Sequence, residues 1–337
     1  MYSGLYHSTA PFTLESGAQL PEINIAYHTS ATICNGKKVL WICHALTANS
    51  NPAEWWEVMT GPGKCFDPNE YFIVCANILG SCYGSTGPMS LNPATGAPYY
   101  DHFPVISVRD MVAAHNLLRE HLGIDEIDMV IGASIGGFQA LEYALCYPQL
   151  CKHLVLIATN ARVSPWGTAY NESQRMAILS DPTYSEYRPG GGDNGLSAAR
   201  SIALLSYRSY EGYGLRQSEP DPDTFIAQKA AAYQQYQGEK LKRRFNAYSY
   251  MALTKTFDTH NVGRGRGGVE KALKNIRAKT LCVGITSDQL FPPHEVEFMA
   301  QHIPGARYAS LHSHFGHDGF LLEWEAITKI IHEFVNN

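Results

Sequence analysis

VIGASIGGFQALEYA, residues 130–144, carries an apolar strand into Gly132, Ser134 and Gly136 and opens at once into a helix. A serine between two glycines is a poor helix starter, because its hydroxyl is caught inside a sharp turn. The arrangement suits an α/β enzyme in which that hydroxyl must stand off the end of the sheet as a nucleophile. A plainer reading is a strand-to-helix turn whose glycines relieve crowding. The five-residue pattern does not choose between the two, so the flanking chain has to.

On both sides lie short, nearly continuous apolar runs: KVLWICHAL, YFIVCANIL, DMVIGAS and HLVLIATN. Runs of this kind are buried on both faces of a parallel sheet. SVRDMVAAHNLLREHLGI (107–124) has helical period and ends at Gly123; GGFQALEYALCYP is a second helix, stopped by Pro148. Alternating strands and helices predict a doubly wound α/β core. Ahead of it, PFTLESGAQLPEINIAYHTS reads as an antiparallel hairpin about a Ser-Gly turn. From residue 164 to 272 the pattern breaks. GLSAARSIALLSYRS and DTFIAQKAAAYQQYQGEKLKRRF read there as helices and RPGGGDNG as a loop. Strand-helix alternation resumes at KTLCVGITSD and ARYASLHS, and GFLLEWEAITKIIHEFV is read as one final helix. The expectation is a core of residues 1–163 and 273–337 interrupted by a helical insert, 164–272.

The 337 residues carry a formal net charge of −5, so no bulk field draws the chain to nucleic acid or anionic lipid. The N-terminal MYSGLYHSTAPF has neither the basic start nor the apolar core of a signal peptide, and no apolar run has membrane-span length. A soluble cytoplasmic protein is expected. Eight scattered cysteines without a C-x-x-C or metal-ligand spacing predict structural thiols in a reducing compartment and no metal site.

A nucleophilic Ser134 needs a base and an acid. Asp288 follows the strand TLCVGIT, and His317 lies in HSHFGHDGF after the last strand. Serine, aspartate and histidine then occur in the order of an α/β-hydrolase, each after a strand. His312 and His314 compete for the base, but one ends the strand and the other precedes the turn. Asp258 and Glu295 are the next carboxylates in line. His317 would take the Ser134 proton, and Asp288 would hold the imidazole tautomer and stabilise its cation. Ile135, at the helix start, should offer one backbone N–H to an oxyanion, and the loop in WICHALTANS the other.

CHALTANS, NILGSCYGSTGP, GASIGG, VGRGRGGV, GITSD and GHDGF together resemble the homoserine O-acetyltransferase family, which has an α/β-hydrolase fold with a helical lid. The resemblance spans nearly the whole chain. It implies Leu46 as the second oxyanion amide and a structural role for His44. It further implies that Arg200 takes the carboxylate of the amino-acid acceptor, with Tyr207 alongside on the same helical face, and that Asp318 takes its ammonium. The activity implied is acetyl transfer from acetyl-CoA, as co-substrate, to the hydroxyl of L-homoserine through an acyl-serine, in a homodimer built through the lid helices. Succinyl-CoA as donor, serine as acceptor, and a lidded esterase are the alternatives on the same machinery. KLKRRF (240–245) is a candidate for the coenzyme A phosphates or a solvated helix end. Ala133, Ile135 and Ala48 depart from the family pattern and are expected to reshape the acyl pocket. The glycine-rich NILGSCYGSTGP lacks the lysine of a P-loop, and the G-x-G-x-x-G in VGRGRGGVEKAL has no preceding strand. The first is expected to border the site and the second to connect insert to core.

Overall fold

The computed structural model describes residues 1–336. Eight strands form its main sheet: β1 (Tyr2–Ser8), β2 (Ile23–Thr29), β3 (Lys38–Cys43), β4 (Tyr71–Ala76), β5 (Ile127–Ala133), β6 (Cys151–Ile157), β7 (Lys279–Ile285) and β8 (Arg307–Leu311). Their spatial order is β1-β2-β4-β3-β5-β6-β7-β8, antiparallel at β1/β2 and β2/β4 and parallel from β4 onward. Successive side chains of the parallel strands point to opposite faces, and both faces are covered. Val39, Trp41 and Cys43 belong to one apolar cluster, Leu40 and Ile42 to the other. This double burial is why these strands read as unbroken apolar runs.

The principal helices are α1 (Val108–His121), α2 (Ile135–Cys146), α3 (Pro165–Leu179), α4 (Asp193–Tyr207), α5 (Tyr210–Gln217), α6 (Lys229–Lys242), α7 (Ala247–Asp258), α8 (Pro293–His302) and α9 (Trp324–Val335). Ser107 opens α1 with a full capping box: its hydroxyl accepts from Asp110 N–H, and the Asp110 carboxylate accepts from Ser107 N–H. Helices α3 to α7 fall between β6 and β7. The chain leaves and returns side by side, with Val163 N–H on the His260 carbonyl (3.1 Å) and Val262 N–H on the Ala161 carbonyl (3.0 Å). Ile178, Leu196, Leu241 and Tyr248 of this excursion join the apolar cluster on one sheet face. Among the described residues, no helix is long and apolar enough to cross a membrane.

Two expectations need correction. The Ser-Gly turn does make a hairpin, but only Phe12–Thr13 with Gln19–Leu20, while Ile23–Thr29 pairs instead with Tyr2–Ser8. That first strand is a sheet edge with every residue exposed or half-buried, so it has no apolar signature. The final helix is two pieces, Gly319–Leu322 and α9, broken where Glu323 takes ψ 42°.

VGRGRGGV ties the returning chain to the core. Arg264 pairs with Glu15 and Arg266 with Glu142, while Arg109 reaches both carboxylates. Glu142 is 1 % exposed, so two guanidiniums on a single buried carboxylate compensate its desolvation. The eight cysteines are free thiols, five of them buried. Burial pushes Cys65, Cys151 and Cys282 up to about 12, which keeps them protonated and inert.

Candidate active site

The glycines at 132 and 136 are demanded by contact. A Cβ on Gly132 would lie 2.0 Å from the Gly136 carbonyl oxygen, and one on Gly136 would lie 2.2 Å from that of Cys43. Strand β5, helix α2 and the end of β3 therefore approach backbone to backbone. Ser134 joins them with φ 58° and ψ −130°, a conformation costly for a residue with a side chain. Hydrogen bonds hold it there: its N–H donates to the Ile157 and Ala158 carbonyls at 3.1 and 3.2 Å, and its carbonyl accepts from Thr159 Oγ1 at 2.9 Å. The strained turn lifts the hydroxyl to the carboxyl end of a central strand, where open α/β sheets place their sites.

Asp288 follows β7 and His317 follows β8, and the fold brings their side chains together. His317 Nδ1 lies 2.7 Å from Asp288 Oδ2. A carboxylate only accepts, so Nδ1 carries the proton and Nε2 keeps its lone pair in the neutral ring. The other carboxylate oxygen, Oδ1, accepts from Leu290 and Phe291 N–H at 2.8 and 2.9 Å. Asp288 and His317 are each 3 % exposed. The rings of Phe291 and Phe320 lie 5.2 and 5.4 Å from the imidazole.

The competitors lie elsewhere. Asp258 pairs with Arg175 at 2.8 Å, and Glu295 accepts from Asn160 at 2.8 Å. His314 pairs with Glu211, and His312 is exposed. His44 is fully buried, donating from Nδ1 to the Ala45 carbonyl (2.8 Å) and accepting at Nε2 from Ile78 N–H (3.1 Å). Desolvation drops its pKa to about 4, and its one lone pair is occupied, so it has none to offer as a base.

Ser134 and His317 line one cavity of about 600 Å³, together with Leu46, Arg200, Tyr207 and Asp318. Ile135 is the first residue of α2, whose leading amides have no intrahelical acceptor. Arg200 and Tyr207 stand two turns apart on α4, with the guanidinium 5.4 Å from the phenol ring centre. The Tyr207 ring is 5.7 Å from that of His317. Burial raises the Tyr207 pKa, opposed by Arg200, so the phenol remains a hydrogen-bond donor at neutral pH. Asp318 reaches the cavity already ion-paired to Arg208, a partner that sequence reasoning did not assign. Of the three departures from the family pattern, Ala48 lines the cavity, whereas Ala133 and Ile135 are buried in the two apolar clusters.

Lys240 and Arg244 of KLKRRF also reach this cavity. Arg244 donates to the Tyr83 hydroxyl at 2.7 Å, which brings the loop NILGSCYGSTGP to the rim. Sequence reasoning missed Glu54 and Trp55, which line the wall from a short helical turn, Pro52–Trp55. The adjacent tryptophans in NPAEWWEV were the available signal. A broader depression of about 850 Å³ around Arg162, Lys271, Lys274 and His294 contains none of these groups, and those four side chains are exposed.

This strand order, with a serine at the turn after β5 and a histidine-aspartate pair after the last two strands, defines an α/β hydrolase. The alpha/beta hydrolase fold model matches residues 38–323. The homoserine O-acetyltransferase of Cyclobacterium marinum is 44 % identical over 99 % of this chain and 95 % of its own. Among solved structures, homoserine O-acetyltransferase from Bacillus anthracis superposes with a TM-score of 0.91 at 23 % identity, covering 100 % of this chain and 98 % of that one. Esterase E22 superposes with a TM-score of 0.89 at 23 % identity, covering 99 % of both chains. The chain belongs to the homoserine O-acetyltransferase family.

Proposed function

We propose that this protein transfers an acetyl group from acetyl-CoA to the hydroxyl of L-homoserine, giving O-acetyl-L-homoserine, in two stages through Ser134. The observation that carries the reading is end-to-end relatedness to a homoserine O-acetyltransferase, on a chain whose cavity is lined by Arg200 and Asp318 together with Ser134.

In the first stage Ser134 Oγ attacks the thioester carbonyl while His317 Nε2 takes its proton. The Leu46 and Ile135 amides receive the oxyanion. The C–S bond breaks, the imidazolium returns its proton to the leaving thiolate, and acetyl-Ser134 remains. In the second stage the homoserine hydroxyl gives its proton to Nε2 and attacks the acyl carbon. The Ser134 oxygen then leaves and is reprotonated. Asp288 keeps the useful tautomer and stabilises the transient cation throughout.

Both esterases and acyltransferases use this cycle, and the difference is whether water or a bound alcohol meets the acyl-enzyme. Arg200 holds the acceptor carboxylate with Tyr207 alongside, and Asp318 holds the ammonium, so a zwitterion is fixed at both ends. Lys240 and Arg244 face the coenzyme A phosphates. The helical segment 164–272 acts as the lid that keeps water from the acyl group. Its large exposed apolar side chains, among them Leu205, Tyr210, Phe225 and Tyr236, support a homodimer through the lid.

Thiol release from acetyl-CoA and succinyl-CoA, each with homoserine, serine or no acceptor, tests the reading. Release should be fast only for acetyl-CoA with homoserine. Equal release without any amino acid would make the protein an esterase-like hydrolase.

A further inference from the structure

The lid and the histidine turn are clasped to one another at the cavity wall. A Cβ on Gly212, in the first turn of α5, would lie 2.1 Å from the His314 carbonyl oxygen. Conversely, a Cβ on Gly316 would lie 2.7 Å from the backbone of Arg208 and Ser209, and Gly316 has φ +65°. The Ser209 hydroxyl donates to the His314 carbonyl, and the His314 ring pairs with Glu211 at 3.0 Å. Residues 208–212 and 314–318 thus meet backbone to backbone, tied together by the Ser209–His314 hydrogen bond and the His314–Glu211 pair.

Arg208 sits at this clasp. One guanidinium nitrogen, Nη1, pairs with Asp318 Oδ2, and Nη2 donates to the Tyr233 hydroxyl at 3.0 Å. Asp318 lines the cavity and Arg208 does not, so the cation stands behind the carboxylate as seen from the ligand space. Both side chains are largely buried, at 22 and 15 % exposure. A carboxylate so withdrawn from water needs a fixed partner, or it turns toward solvent.

We infer that Arg208 is a positioning residue for the acceptor: it pins Asp318 through Oδ2 and leaves Oδ1 aimed at the ammonium of the incoming amino acid. The inference rests on the reading of this cavity as an amino-acid acceptor site. The opposite role is a competitor that the ammonium must displace, and the packing argues against it. A guanidinium that is largely buried and also donates to Tyr233 is held by a second partner, so displacing it from Asp318 costs more than freeing a solvated side chain. Lysine is a poor substitute, because a single ammonium cannot hold two separated partners in one plane.

The two roles predict opposite signs. In the full-length enzyme, Arg208→Gln should raise the KM for homoserine about tenfold with a much smaller change in kcat, the scale of a lost charge-assisted contact. Arg208→Lys should restore only part of this. Tyr233→Phe removes one hydroxyl from behind the guanidinium and should move KM the same way by about two- to threefold, which keeps the test open if Arg208→Gln folds badly. The decisive control is 4-hydroxybutyrate, which has the hydroxyl and carboxylate of the acceptor but no ammonium. Its kcat/KM, poor in every form, should have the same value in wild type and variants. An unchanged or lowered homoserine KM would overturn the inference, as would equal losses on both acceptors, which mark a merely structural role. Failure of the underlying reading looks different: wild type itself would not distinguish homoserine from 4-hydroxybutyrate.

Discussion

Replacing Asp288 by asparagine isolates one oxygen of one side chain. Oδ1 carries the bonds from Leu290 and Phe291 N–H, and the asparagine carbonyl can keep both. Only the Oδ2 position changes, from an acceptor 2.7 Å from His317 Nδ1 to an NH₂ donor. To meet a donor, the imidazole must turn its Nδ1 lone pair toward it and carry its proton on Nε2. The nitrogen facing the cavity is then no longer a base, and the developing cation loses its counter-charge. Comparable triads lose on the order of 10⁴ in turnover from this change, about 5.5 kcal/mol of transition-state stabilisation. Stability should change little, because the shape and both backbone bonds survive. The assay is coenzyme A release at saturating acetyl-CoA and homoserine, run beside a thermal melt. A folded variant within tenfold of wild-type turnover would refute the role of Asp288. The other carboxylates are already committed, Asp258 to Arg175 and Glu295 to Asn160.

Arg200→Ala should still form the acyl-enzyme at close to the normal rate while raising the homoserine requirement about ten- to a hundredfold; separate measurement of the coenzyme A burst and of product formation checks this. Gly136→Ala forces a methyl group to 2.2 Å from the Cys43 carbonyl oxygen, and calorimetry should find a loss of roughly 3 kcal/mol or more. Burial lowers the pKa of His44 to about 4 and of His115 and His260 to about 3, whereas the unfolded chain takes up these protons near 6.5. Their contribution to stability is therefore whole above pH 6.5 and is lost as pH falls through the window down to about 4 for His44 and about 3 for His115 and His260, at up to about 1.4 kcal/mol per pH unit for each. Urea unfolding at pH 7, 6 and 5 should show the decline, and a flat profile would contradict the burial of these rings as neutral species.

The candidate site was legible where local sequence dictates local geometry. Gly132 and Gly136 announce a backbone contact that admits no Cβ, and Ser134 between them has one direction to point. Asp288 and His317 were legible because each follows a buried strand, whose carboxyl end fixes where its loop emerges. The Arg208–Asp318 pair was not legible, since it depends on how the end of α4 lands on a turn far away in the chain. Strand β1 was missed for a different reason. An edge strand with one side in water needs no apolar run, so Tyr2–Ser8 is specified by pairing with Ile23–Thr29 more than by its own composition. His44 shows the converse: a histidine at a strand end looks catalytic until both ring nitrogens are found occupied by backbone.

Passage of the acyl group through Ser134 is tested directly by mass spectrometry of the protein mixed with acetyl-CoA alone. The peptide containing Ser134 should gain one acetyl group, lose it on addition of homoserine, and never acquire it in Ser134→Ala. An unmodified Ser134 peptide, in a preparation that still makes O-acetylhomoserine from the two substrates, would contradict the account and require direct transfer between them.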